Sequence, residues 1–166
     1  MIPDKPMMDR YRWLGLAIGV ALADQGAKHW IAGTFPLGAG ETVLPFFNLV
    51  HILNSGAAFS FLANAGGWQR YVFIALALAV SVGLTIILLK GVANRWEGWG
   101  YSLLLGGAVG NLVDRLVRGA VVDYLDFHAG GWHWPAFNLA DTALCLSAFI
   151  LLLGTLLSSA QSKAPT

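Results

Sequence analysis

The sequence predicts an all-α polytopic membrane protein, with four transmembrane helices and one or two short strands at the outer surface. Three observations carry this. Of the 166 residues, 57% are hydrophobic and 11% charged, with a mean hydropathy of +0.64, whereas soluble domains are about 25% charged. Apolar runs recur four times, each near the roughly 20 residues that cross a hydrocarbon core. All seven Trp fall near the ends of these runs, the level at which amphipathic indoles settle in a bilayer. The composition also excludes other classes. A net charge of +1 with ten dispersed Lys and Arg makes no basic patch for nucleic acid, and the hydropathy is too high for disorder. The single Cys145 lies in an apolar run and can neither form an internal bridge nor anchor a metal cluster.

The first span runs from about Trp13 to about Thr34 and is interrupted by Asp24, Gln25 and Lys28. A competing reading takes Arg10, Arg12, the apolar run and Ala21-Leu22-Ala23 as a cleavable signal peptide. The run resumes after Lys28, however, which makes it long enough to stay as a span. Residues 41–62 are rich in β-formers and too short to cross as a helix, so one or two strands are expected at the membrane surface. Gly66-Gly67 then marks the turn into the second span, Tyr71 to Leu89, which holds no charge. The third runs from about Gly98 to Val113 and stops at Asp114-Arg115, and the fourth from about Asn138 to about 158 with Asp141 near its start. The whole chain, 1–166, is expected to be one integral membrane domain with outer segments at about 35–70 and 114–137. Six basic residues (Lys5, Arg10, Arg12, Lys90, Arg95, Lys163) lie on one side and three (Arg70, Arg115, Arg118) on the other. That excess places both termini and the 90–97 loop in the cytoplasm.

Charged residues near a helix centre cost about 2.5–3.5 kcal/mol each on insertion scales, so those present point to pairing or function. Asp24 and Lys28 sit four apart and share a helix face, either as a simple ion pair, or with Lys28 snorkelling to the outer interface, or with Asp24 also bracing neighbouring helices. Asn54-Ser55-Gly56-Ala57-Ala58-Phe59 reads as a turn, and Gly106 and Gly110 allow a neighbouring helix to approach closely. Asn111, Asp114 and Arg115 follow directly. Asp123 and Asp141 flank one short outer excursion at the same expected depth. Singly, each fits a helix cap or a solvated carboxylate. Together in a low-dielectric site they cannot both ionise, and a pair sharing one proton supplies base and acid for water attack on a peptide carbonyl. Asp114 suits this role poorly, because Arg115 would hold it ionised, and these two are expected to brace each other. Asp126, further along the loop, is left open, with a solvated carboxylate as one reading. Ser55 and Ser60 have no nucleophile context, and Asp126, His128 and His133 match no metal-ligand spacing.

The order of these motifs is more specific than any one of them. Asp24-Gln25-x-x-Lys28, Asn54-x-Gly56-Ala57-Ala58-Phe59, Gly106-Gly107-Ala108-x-Gly110-Asn111-Leu112-x-Asp114-Arg115, Val121-Val122-Asp123-Tyr124 and Phe137-Asn138-Leu139-Ala140-Asp141 occur in sequence. Nearly the whole chain resembles the bacterial lipoprotein signal peptidases (signal peptidase II). The resemblance implies a four-helix aspartic endopeptidase of the bacterial inner membrane, with a small extracytoplasmic β-cradle and a mobile outer helix. Its substrates would be diacylglyceryl-modified prolipoproteins, cut just before the lipidated cysteine near the outer face. It implies no cofactor or metal, and no partners beyond substrate and membrane lipid. The family's catalytic pair maps onto Asp123 and Asp141, and its supporting positions onto Asp24, Lys28, Asn54, Gly56, Asn111, Asp114, Arg115, Asn138 and Ala140. Asn54 and Asn138 would orient the substrate backbone. A proton-coupled transporter is the main competing function, but the uncharged second span disfavours a polar path through the full bilayer. A noncatalytic scaffold assembled through Gly106 and Gly110 is the third reading.

Overall fold

The computed structural model describes residues 7–56 and 66–162. Lys5, Lys163, Ser60, the Ala57-Ala58-Phe59 end of the turn motif and the tail of the expected strand segment lie outside the described residues. The chain runs α1 (Met7–Thr34), β1 (Gly40–Leu44), β2 (Phe47–Asn54), α2 (Gln69–Lys90), α3 (Arg95–Val117), β3 (Val121–Ala129), β4 (Trp132–His133) and α4 (Leu139–Ser162). It is mostly helical with a small antiparallel sheet of order β1-β2-β3-β4.

By length and composition, α2 and α4 are the helices apolar enough to cross a membrane. The outward residues Leu76, Val82, Phe149 and Leu152 on them are exposed, as lipid-facing side chains are. α1 and α3 reach about 42 and 34 Å at ~1.5 Å per residue, but charges and glycines dilute their apolar runs. Those charges are turned inward. Asp24, Lys28 and Asp114 are all completely buried. This is also why α3 extends to Val117 rather than ending at Asp114-Arg115 as its hydropathy suggested. Polar residues that bond within the bundle do not stop a helix.

α3 packs against each of the other helices, and its glycines make that possible. A Cβ on Gly106 would sit 2.7 Å from the Ala17 carbonyl oxygen, and one on Gly107 2.6 Å from that of Ala140. α2 ends where Gly91, at φ 94°, turns its N–H back to Ile87 and Leu88. α3 begins on a reciprocal cap, in which Asn94 accepts from Glu97 N and Glu97 accepts from Ala93 N.

Two apolar clusters anchor the ends of the bundle. Trp13, Ala17, Leu84, Leu88, Val92 and Leu105 form one. Ile31, Val122 and Tyr124 form the other, beneath the sheet. Where one or two strands were expected there are two, Gly40–Leu44 and Phe47–Asn54, joined through Pro45-Phe46. β3 was not anticipated. Its residues are mostly buried on both faces, so it lacks the alternation by which a surface strand is recognised. Antiparallel pairing sets Asn54 opposite Val121 and Ile52 opposite Asp123, across a bulge between Leu49 and Ile52.

Candidate active site

Asp123 is the third residue of β3 and is 2% exposed. Its two carboxylate oxygens accept from different asparagines: Asn54 Nδ2 at 2.9 Å and Asn138 Nδ2 at 2.7 Å. Both amides are locked by their own oxygens. Asn54, ending β2, accepts from Gly56 N at 2.9 Å. Asn138, completely buried, caps α4 by accepting from Asp141 N at 2.9 Å. Asp141 Oδ2 in turn accepts from Asn138 N at 3.3 Å. Asn138 therefore touches both carboxylates at once and sets Asp123 beside the first turn of α4.

Asp141 is steadied from the other side by Asn111 of α3, whose Nδ2 donates to its Oδ1 at 2.8 Å. That amide is oriented by Lys28, which donates to Asn111 Oδ1 at 2.8 Å. Lys28 also pairs with Asp24 at 2.8 Å and Asp114 at 3.2 Å. Asp24 reaches α4 as well, accepting from Ala140 N at 2.9 Å, so it braces a neighbouring helix in addition to pairing with Lys28. Gly110 is required by the same contact, since a Cβ there would meet Asp24 Oδ2 at 2.5 Å. Asp114 Oδ2 accepts from Val122 N at 2.9 Å and so fixes the strand that carries Asp123. One chain of buried bonds thus links α1, α3, β3 and α4 around the two carboxylates.

Burial, and after it the charge of Asp141, pushes the Asp123 carboxyl up from 3.8 to about 7, against the Asn54 and Asn138 bonds and Lys28. This carboxyl therefore keeps its proton well above the pH at which an ordinary Asp loses it. A carboxyl and a carboxylate bonded to one asparagine can take a proton from water and return one to a substrate oxygen or nitrogen.

Some expectations change. Asp114 and Arg115 do not brace each other, because successive helical side chains point about 100° apart. Asp114 pairs instead with Lys28 and with Arg118, one turn on. Arg118 was overlooked although its i,i+4 spacing from Asp114 was readable. Arg115 donates to the Gly56 carbonyl at 2.8 Å and lies 5.1 Å from the Phe73 ring centroid. Gln25, given no role from sequence, donates to Gly110 O at 2.9 Å and Asp114 at 3.2 Å. Arg70 was also missed. It donates to the Arg115 and Leu116 carbonyls, tying α2 to the end of α3. The side-chain amides of Asn54 and Asn138 are turned to Asp123. Asp126 is buried rather than solvated. Burial alone would raise it, but Asn48 and His133 outweigh that and hold its carboxyl below the usual range.

A family model described as signal peptidase (SPase) II matches residues 16–157. The lipoprotein signal peptidase of Yersinia enterocolitica is 44% identical over 154 residues, covering 92% of this chain and 91% of that one. The lipoprotein signal peptidase of Paraburkholderia phymatum is 49% identical over 140 residues, 84% of each chain. A solved structure described as a bacterial membrane enzyme superposes with a TM-score of 0.81 at 29% identity, covering 93% of both chains. A second superposes at 0.74 with 30% identity, covering 87% of this chain and 92% of the other.

Proposed function

Because the chain belongs to the signal peptidase II family of aspartic peptidases, we propose that Asp123 and Asp141 form its catalytic dyad and cut diacylglyceryl-modified prolipoproteins just before the lipidated cysteine. The observation that carries this is Asn138, bonded to both carboxylates through its own amide and backbone N–H. Asp123, with its pKa near neutrality, holds the shared proton. Asp141 takes a proton from water as the water oxygen attacks the scissile carbonyl carbon, and Asp123 protonates the carbonyl oxygen. As the resulting gem-diol collapses, one of its hydroxyl protons returns to Asp123, the C–N bond breaks, and the proton gained by Asp141 passes to the departing amine of the cysteine. Asp24, Lys28, Asn111, Asp114 and Asn138 hold the pair in place, Ala140 donates the backbone bond to Asp24, and Gly56 with Arg115 shapes the wall beside Asn54.

All four helices cross the bacterial inner membrane as a single domain, with both termini cytoplasmic and the dyad near the outer face. The three arginines at the dyad end count against this orientation, but the six basic residues at the other end outnumber them. Arg70 bonds the end of α3, Arg115 bonds Gly56 and Arg118 bonds Asp114. Substrate and membrane lipid are the expected partners of a monomer. Both the signal helix and the two acyl chains arrive through lipid, and a dyad at the edge of the hydrocarbon meets the scissile bond where water reaches. The test is cleavage of lipidated and unlipidated precursor by purified protein. Only the lipidated form should be cut, and equal cutting of both would overturn the substrate assignment.

A further inference from the structure

At the far end of the bundle from the dyad, a cavity of about 320 Å³ opens among Arg10, Arg12 and Trp13 of α1, Gly91 and Asn94 of the α2–α3 turn, and Arg95 of α3. α2 separates the two ends by 22 residues, or about 33 Å at ~1.5 Å per residue. Two of the three guanidinium groups are laid against indoles. Arg12 lies 4.4 Å from the Trp13 ring centroid and Arg95 5.1 Å from that of Trp96, which orders the side chains before any ligand arrives. Trp13 is itself buried and packs edge-on against Trp99 at 5.8 Å. The α3 N-terminus supplies little of the attraction, since Glu97 N is already bonded to Asn94. The positive charge comes from the arginines.

A separate apolar groove of about 470 Å³, where Leu14, Ala17, Ile18 and Ala21 meet Thr85 and Leu105, begins at Leu14, one turn along α1 from Arg10. Arg10, Leu14, Ala17, Ile18 and Ala21 recur at three- and four-residue spacing, so Arg10 and the groove form one stripe, with Arg12 and Arg95 lining the cavity at its charged end. We infer that this stripe is a binding site for an anionic phospholipid, its phosphodiester among the three arginines and an acyl chain along the groove. The inference rests on the helices crossing a bilayer. The apolar run of α2 ends at Lys90, level with Trp13, Trp96 and Trp99, the height of the headgroup phosphates. Arginine is the side chain suited to such a ligand, since its forked N–H groups match two phosphate oxygens and each group carries five donors, more than one partner uses. Basic pockets between membrane helices hold anionic headgroups in this way.

The test titrates the purified full-length protein in neutral detergent with phosphatidylglycerol, phosphatidylcholine and inorganic phosphate, counting bound lipid by native mass spectrometry. Phosphatidylglycerol should bind more tightly than phosphatidylcholine, and millimolar phosphate should not displace it. Arg10→Gln, Arg12→Gln and Arg95→Gln together should weaken phosphatidylglycerol binding roughly a hundredfold, at about 1 kcal/mol per basic side chain. The corresponding triple lysine variant should keep most of the binding. Prolipoprotein cleavage in neutral detergent should be unchanged in both variants, which separates this site from the dyad. Equal affinity for the two lipids, or unaltered binding in the glutamine variant, overturns the inference. Displacement by inorganic phosphate alone overturns the lipid as its source.

Discussion

Replacing Asp123 with Asn should remove activity and at the same time reverse the order of stability of the two proteins as pH rises. In the folded protein Asp123 holds its proton up to about pH 7, against 3.8 for an ordinary Asp, so the folded state binds more protons across that window. Its contribution to stability is therefore complete below about pH 4, declines as pH rises, and is gone above about 7. A rise from 3.8 to about 7 corresponds to roughly 4 kcal/mol at about 1.36 kcal/mol per pH unit. Asn does not titrate, but it has its own cost. The amides of Asn54 and Asn138 both point their N–H groups at residue 123 and cannot flip, being held by Gly56 N and Asp141 N. An Asn there presents one oxygen and one NH₂, so one donor meets a donor, a pH-independent loss of about 1–3 kcal/mol. The variant should be the weaker protein at pH 4 and the stronger by about 1–3 kcal/mol at pH 8, crossing between about pH 4.5 and 6. Thermal unfolding in detergent across this range measures it, alongside cleavage of lipidated precursor, which should fall about 10²–10⁴-fold. A stability difference that stays constant from pH 4 to 8 would refute the account of Asp123 as a carboxyl kept protonated by burial and by Asp141.

The other predictions follow from the supporting network. Lys28→Met leaves Asp24 and Asp114 facing each other in a fully buried site, and should cost about 3–5 kcal/mol in detergent unfolding; adding Asp24→Asn should recover part of the loss. Gly110→Ala forces a methyl onto Asp24 Oδ2 and should cost about 1–3 kcal/mol, with a larger fall in cleavage than an equally destabilising change on the lipid face of α2. Activity in a cleavage assay should survive EDTA, because the proposed chemistry uses two carboxylates and water. Inactivation by chelator with recovery on adding zinc would count against the dyad. The alkaline limb of the rate profile should fall near pH 7, as Asp123 loses its proton, and a flat profile from pH 6 to 9 would contradict its role as acid.

Several features could be read from the residues because their cause is local. Apolar runs of bilayer length, tryptophans at their ends and the i,i+4 spacing of Asp24 and Lys28 all lie within a few turns of chain, where 3.6-residue periodicity decides what shares a face. The cost of a charge in an apolar run also drew out Asp24, Lys28, Asp123 and Asp141 before any partner was known, whereas Asn54, Gly56, Asn138 and Ala140 entered only through the resemblance.

The partners themselves were settled by the tertiary structure. Asp114 turned to Lys28 and Arg118 rather than to Arg115, and Asn138 and Asn54 turned to Asp123, across separations of 15 and 69 residues. A rotation of one helix by one residue, about 100°, would exchange every such pair, and sequence carries no local record of that angle. It is set by where α3's glycines let α1 and α4 approach, at Gly106, Gly107 and Gly110. β3 belongs to the same class of outcome. Mostly buried on both faces, it shows no alternation to read, and its pairing with β2, its bridge to Phe137 and its bond to Asp114 together set Asp123 toward α4.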